Sequence, residues 1–159
     1  MNPRADYAQL SPAFFKKYLD FSTSMKDGRI DEILRELVYL RASQLNGCAF
    51  CVDMHVKKLK IAGERDLRVH HVAIWHESPL FSARERAAFA WTEALTRLSG
   101  KGIADDLYEE VRAEFNDLEL ADLTFAIIAI NGWNRASVAY QTVPGSRDAA
   151  YGLTAAGLG

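Results

Sequence analysis

Residues 30–62 read IDEILRELVYLRASQLNGCAFCVDMHVKKLKIA. Ile30, Ile33, Leu34, Leu37, Leu40 and Leu45 recur at helical spacing, which predicts a helix over about 30–45. Asn46-Gly47 breaks it. A further helix covers Cys48-Ala49-Phe50-Cys51 and continues to about Ala62, stopped by Gly63.

The same period extends on both sides. Ser11-Pro12 starts a helix whose apolar face is Phe14, Tyr18, Phe21 and Met25, flanked by Phe15 and Leu19, and which ends at Lys26-Asp27-Gly28. After the dithiol helix come helices over about Asp66–His76, from the capping box at Ser82-Ala83-Arg84-Glu85 to Ser99-Gly100, over about Ala104–Phe115, and over about Leu120–Tyr140. No strand alternation is found, so the expected fold is all-α with about seven helices. The 159 residues suit one helical domain, 1–143. Residues 144–159 follow as a Gly/Ala-rich tail, expected to be disordered or draped over a neighbouring subunit. Trp75, Trp91 and Trp133 are expected in the core, and Arg84-Glu85-Arg86 as a solvated first turn.

Charge and hydropathy remove several function classes. The formal net charge is −2 with no basic stripe, which speaks against nucleic acid. The apolar run Leu120–Ile130 is too short to span a membrane, which needs about 20 residues. The first residues have no signal-peptide character, so a cytoplasmic location is expected. Only two cysteines are present, separated by two residues, which points to redox or metal chemistry rather than a disulfide framework.

The dithiol carries the functional reading. Cys48 falls in the first turn of its helix, where free amides and the helix dipole favour a thiolate. Cys51 lies on the same face and His55 one turn beyond it, where an imidazole can take up a thiol proton. If the two helices fold back about Asn46-Gly47, Glu36 stands about 15 Å and His55 about 12 Å from the turn, so they can meet. A carboxylate there fixes the tautomer of His55 and raises its basicity. The other readings are an inert buried pair, or part of a metal site with His55 and Glu36 as further ligands, although structural zinc asks for more Cys and His than this. His70, His71 and His76 are read as surface or core-edge residues.

The order Glu36, Cys48, Cys51, His55 resembles the AhpD-like alkylhydroperoxidase core of the carboxymuconolactone decarboxylase superfamily. Leu40 to Cys48, Ser82 to Thr96, and Ile130-Asn131-Gly132-Trp133-Asn134-Arg135 are similar to other parts of that core, so the resemblance covers about 30–143. It implies an AhpD-like all-α fold, a homo-oligomer (trimer or hexamer), and antioxidant peroxidase chemistry through a redox-active Cys48–Cys51 disulfide without a further cofactor. It also implies a proton relay from Glu36 and His55 to Cys51. The substrate would be an organic hydroperoxide and the reductant a dithiol, such as a lipoyl-bearing protein. The best-known members are longer and carry a His where this chain has Phe50. The alternatives are a decarboxylase acting on a lactone acid, which needs no dithiol, and a non-catalytic redox sensor or assembly subunit.

Overall fold

Asp31 caps the start of the helix that organises the molecule, and Ser43, in its last turn, helps to close its end. The Asp31 carboxylate accepts the Leu34 N–H at 2.9 Å, and the Ser43 carbonyl accepts the Cys48 N–H at 3.0 Å where the chain turns back. The computed structural model describes residues 4–158; residues 1–3 of the expected helical domain and Gly159 of the expected tail lie outside the described residues. Among the described residues there are nine α-helices and no strand: α1 (Tyr7–Leu10), α2 (Pro12–Ser24), α3 (Glu32–Leu45), α4 (Ala49–Ile61), α5 (Asp66–His71), α6 (Ala83–Thr96), α7 (Asp105–Arg112), α8 (Asp117–Tyr140) and α9 (Asp148–Tyr151).

The seven expected helices are all present, and the two additional ones, α1 and α9, are single turns. Boundaries shift for local reasons. α8 starts at Asp117 because Asn116 and Glu119 form a capping box, each side chain accepting the other's backbone N–H. The expected helix over 66–76 ends at His71 and tightens into a 3₁₀ segment, Val72–Glu77, in which Ile74 leaves helical geometry.

α3 packs against α4, α6 and α8, and its buried side chains belong to two apolar clusters. Leu34, Val38 and Ala42 join Leu123, Ile127 and Ile130 of α8, whereas Leu37 and Leu40 join Leu59, Val72, Trp75 and Phe89. α2 rests on α8 through aromatic contacts to Trp133, from Phe15 at 5.6 Å and Tyr18 at 4.8 Å. The approach depends on Gly132, since a Cβ there would stand 1.9 Å from the Tyr18 hydroxyl. Trp75 and Trp91 are buried as expected, while Trp133 is half-buried. Phe14 departs from the expected apolar face and is 78% exposed.

Two expectations are corrected. Arg84-Glu85-Arg86 is no solvated turn. Arg84 pairs with Glu119 at 2.9 Å, Glu85 pairs with Arg68, and Arg86 donates to the carbonyls of Trp75, His76 and Ser78. The tail, from 144 to the last described residue, is not loose either. Lys57 is buried on α4 and binds Asp148 at 2.6 Å and Asp53 at 2.9 Å, and the Gly145 N–H donates to Asp53. Leu153 and Ala156 then bury themselves, and their 3₁₀ turn packs on α4. Small residues suit this path because the turns at Gly145 and Gly152 need left-handed backbone.

Leu153→Ala should cost about 2–5 kcal/mol of unfolding free energy. The same change should open the tail to limited proteolysis. Equal cleavage of wild type and variant would mean that the tail is not docked.

Candidate active site

Gly47 adopts left-handed backbone, with φ near +63°, and this lets α4 begin immediately after α3 ends. Cys48 is thereby the cap of α4, one position before the first turn in which it was expected. Its sulfur accepts the Cys51 N–H at 3.4 Å, the role that a serine or aspartate oxygen plays at other helix starts. Both cysteines are free thiols, their sulfurs 2.6 Å apart, and they are only 1% and 3% exposed.

The two thiols share a proton unequally. The Cys48 thiol is pulled down to about 7, chiefly because Cys51 donates a hydrogen bond to its thiolate, against the cost of burial. The Cys51 N–H and the side chains of Asn134 and Ser137 add to the effect. Cys51 is pushed far above the ordinary range, by that same hydrogen bond, by burial and by the neighbouring Cys48 charge. The first ionisation therefore belongs to the pair, which near neutral pH holds one negative charge and one proton.

Glu36 and His55 meet as the helix geometry requires, with Oε2 2.6 Å from Nδ1, and both are buried. Burial raises the Glu36 carboxyl, but the His55 hydrogen bond and charge, with Lys58 and Arg35, bring it below its usual value. Burial lowers His55 more than Glu36 raises it. The pair is thus carboxylate and neutral imidazole. A carboxylate only accepts, so Nδ1 carries the proton and Nε2 is left as the basic nitrogen. Lys58 Nζ lies 3.4 Å from the other Glu36 oxygen, and the Tyr39 ring packs against His55 at 5.2 Å.

The expected contact between His55 and Cys51 is not direct. Among the described residues no hydrogen bond joins the imidazole to either sulfur. Instead His55 and Cys51 both face a cavity of about 890 Å³, to which Cys48 and Glu36 do not contribute. Phe50, Met54, Trp133 and Tyr140 give it apolar walls. A small molecule or water in that space can touch Cys51 and the imidazole together.

A buried amide network supports the turn beneath the thiols. Asn46 donates to Asn131 at 2.9 Å and to Asn134 at 2.8 Å, and Asn134 donates to Ser43 at 3.0 Å. Asn131 and Asn134 stood out in the sequence only as parts of a motif; Ser137, Lys58 and Tyr7 carried no signal at all. The remaining histidines lie elsewhere, His71 against Ser78 at 3.0 Å and His76 stacked on Trp75 at 3.6 Å. Among the described residues no group of three or more His, Cys, Asp and Glu side chains is placed to hold a metal ion.

Residues 12–94 match the family model described as the carboxymuconolactone decarboxylase family. The uncharacterized protein YdfG of Bacillus subtilis is 36% identical over 139 residues, covering 87% of this chain and 95% of that protein. A crystal structure of a protein of unknown function from Agrobacterium tumefaciens, linked by name to the antioxidant defence protein AhpD, superposes with a TM-score of 0.87 at 38% identity. That match covers 90% of this chain and 98% of the other. A peroxidase-related protein with an alkylhydroperoxidase AhpD core, from Ralstonia eutropha, superposes with a TM-score of 0.78 at 21% identity, over 88% of this chain and 75% of the other, and shares the fold.

Thiolate absorbance followed against pH should show a first ionisation near pH 7. In Cys51→Ala the midpoint should rise toward the ordinary cysteine value of about 8.5, because the main donor to the Cys48 thiolate is gone. An unchanged midpoint would locate the acidification in the helix start alone.

Proposed function

This chain belongs to the carboxymuconolactone decarboxylase family, and from that premise we propose that it is a thiol-dependent hydroperoxide reductase of the AhpD-like type. The observation that carries the reading is an acidified, buried dithiol that opens through Cys51 alone onto an apolar cavity shared with a basic histidine nitrogen. The Cys51 thiolate attacks the outer oxygen of an organic hydroperoxide. The O–O bond breaks, an alkoxide leaves, and Cys51 becomes a sulfenic acid. The Cys48 thiolate then attacks the Cys51 sulfur, forming the disulfide and releasing hydroxide, which is protonated to water. Two thiols are oxidised and one hydroperoxide is reduced to an alcohol.

The unequal acidity of the two thiols favours Cys48 as the resting thiolate. Exposure to the cavity favours Cys51 as the thiol that meets the oxidant. The shared proton reconciles them, because once it leaves Cys51 for His55 both sulfurs are thiolates, Cys51 to attack the peroxide and Cys48 to close the disulfide. His55, with its proton held on the Glu36 side, supplies Nε2 as the base that draws the Cys51 proton away through the cavity. A dithiol such as a lipoyl group would reduce the disulfide, and the cytoplasm is a compartment that keeps such a pair ready. A lactone decarboxylase would have no use for an acidified dithiol.

Reduced protein should lose both thiols on addition of one equivalent of an alkyl hydroperoxide and regain them with dihydrolipoamide. His55→Ala should slow the first step near neutral pH by about 10²-fold and recover much of the rate at high pH. Glu36→Gln should slow it less, while His71→Ala should react as wild type does. Retention of both thiols by the wild-type protein would exclude the reductase and leave a sensor or assembly role.

We also propose a homo-oligomer, a trimer or hexamer. α8 is apolar on almost every side, yet Phe125 is 51% and Ile128 48% exposed, with Leu118 open on the same helix. A second subunit would cover them. Sedimentation at micromolar concentration should show a species of at least three chains, and Phe125→Lys should dissociate it; a monomer in the wild type would refute the assembly.

A further inference from the structure

The cavity shared by Cys51 and His55 is roomier than a small alkyl hydroperoxide needs. Its volume of about 890 Å³ lies near the upper end of the range for drug-sized ligands, about 300–1,000 Å³. Its shape follows α8. Ile130, Trp133, Ser137 and Tyr140 line it as one stripe, three or four residues apart, so it runs for about 15 Å along that helix at 1.5 Å per residue.

The two ends of the stripe differ in polarity. At the Ile130 end the walls are Phe15 and Leu19 of α2 with Trp133, the Phe15 and Trp133 rings 5.6 Å apart. At the Tyr140 end the two terminal segments of the chain meet. Arg4 donates through its backbone to the Tyr140 carbonyl at 3.0 Å and through its guanidinium to the Ala139 carbonyl at 2.7 Å. Asp6 pairs there with Arg147 at 3.0 Å. The dithiol turn is tied to α8 within this span, where Asn46 donates to Asn134 at 2.8 Å. The carbonyl partners of Arg4 lie five and six residues beyond Asn134, about 8 Å along the helix axis.

Apart from Cys51 and the tyrosines, the titratable groups facing the cavity are Arg4, Asp6, His55, Lys58 and Arg147. His55 is neutral at rest. Lys58 answers Glu36 at 3.4 Å, and Arg147 answers Asp6. Arg4 is left over. Its guanidinium holds a carbonyl oxygen, which leaves its charge unanswered, and among the described residues no carboxylate pairs with it. A guanidinium has five N–H donors, so most of them are free at the exposed mouth of an apolar chamber.

We infer that the cavity takes an acidic, long-chain substrate: a hydroperoxide whose carboxylate pairs with Arg4, whose hydrocarbon lies along Trp133, Leu19 and Phe15, and whose peroxide group is carried between them, opposite Cys51. The hydroperoxide rests on the reductase reading; the acid and the chain rest on the cavity. A molecule held at both ends presents its O–O bond at one height on α4, a placement that a small hydroperoxide in the same space would lack.

The ligand class is tested without turnover, by calorimetric titration of the reduced protein with decanoate and with 1-decanol, neither of which can react. Decanoate should bind about tenfold more tightly than the alcohol, and Arg4→Gln should abolish that preference. Leu19→Trp, which fills the apolar end, should weaken both. In steady-state turnover with dihydrolipoamide, linoleic acid hydroperoxide should show a KM about tenfold below that of its methyl ester, and Arg4→Gln should bring the two together. Equal binding of decanoate and decanol, or a preference that survives Arg4→Gln, would refute the acid subsite. Failure of both to bind would refute the long-chain ligand. Decanoate binding by a wild-type protein that consumes no hydroperoxide would overturn the reductase reading, and the peroxide group with it, while the acid subsite would stand.

Discussion

A turn of two residues, Asn46 and Gly47, sets the geometry on which the rest depends. It brings α4 back along α3 with its first N–H groups pointing at Cys48, and it determines the height at which Glu36 and His55 come opposite each other. The turn is held from below. Asn46 spends both amide hydrogens on Asn131 and Asn134, two residues one turn apart on α8, and Asn134 is wholly buried. Leaving such a group unsatisfied costs about 1–3 kcal/mol. The network therefore ties the dithiol loop to the longest helix, and a change in α8 reaches the thiols through side-chain amides rather than through packing alone.

Burial does opposite things to the charged groups of this site, and the balance differs at each. It opposes ionisation of Cys48, yet a hydrogen bond from its partner sulfur outweighs it. It opposes ionisation of Glu36, yet the imidazole and the surrounding cations outweigh it. At His55 burial prevails, and the ring stays neutral. The result is an anionic sulfur, an anionic carboxylate and an uncharged base within two adjacent helices. Lys58 and Arg35 provide the compensating positive charge, Lys58 at 3.4 Å from Glu36 and Arg35 buried against the Ile30 carbonyl at 3.1 Å.

Much of this was legible before any coordinates. Helical period placed the seven main helices, and helix rise alone brought Glu36 level with His55. What the sequence did not disclose depends on distant partners. Gly- and Ala-rich composition after Pro144 reads as disorder, and only the buried Lys57, ninety-one residues from Asp148 in the chain, reveals the docking. Arg84-Glu85-Arg86 reads as a polar turn until Glu119, Arg68 and the 3₁₀ carbonyls appear beside it. Cys48 fell one position from its expected place, a small shift with a large effect, because a cap residue offers its side chain to the helix amides whereas a first-turn residue does not. Tyr7 joins the cavity because the segment before α2 folds over α8, which no local pattern encodes.

The placement of Cys48 as the cap of the helix turn that carries Cys51 has a further consequence, for durability. A sulfenic acid that waits for its partner is open to a second oxidant molecule, and the sulfinic acid then formed is for most proteins beyond repair. Where the resolving sulfur must travel, by unwinding a helix turn or moving a loop, that waiting time lengthens and inactivation grows with oxidant dose. Here the second sulfur would already stand beside the first, and α4 need not unravel for a bond to close. In the proposed reaction the arrangement would suit a centre that survives surges of oxidant, at the cost of a disulfide that would lie deep and be reached by its reductant through the cavity.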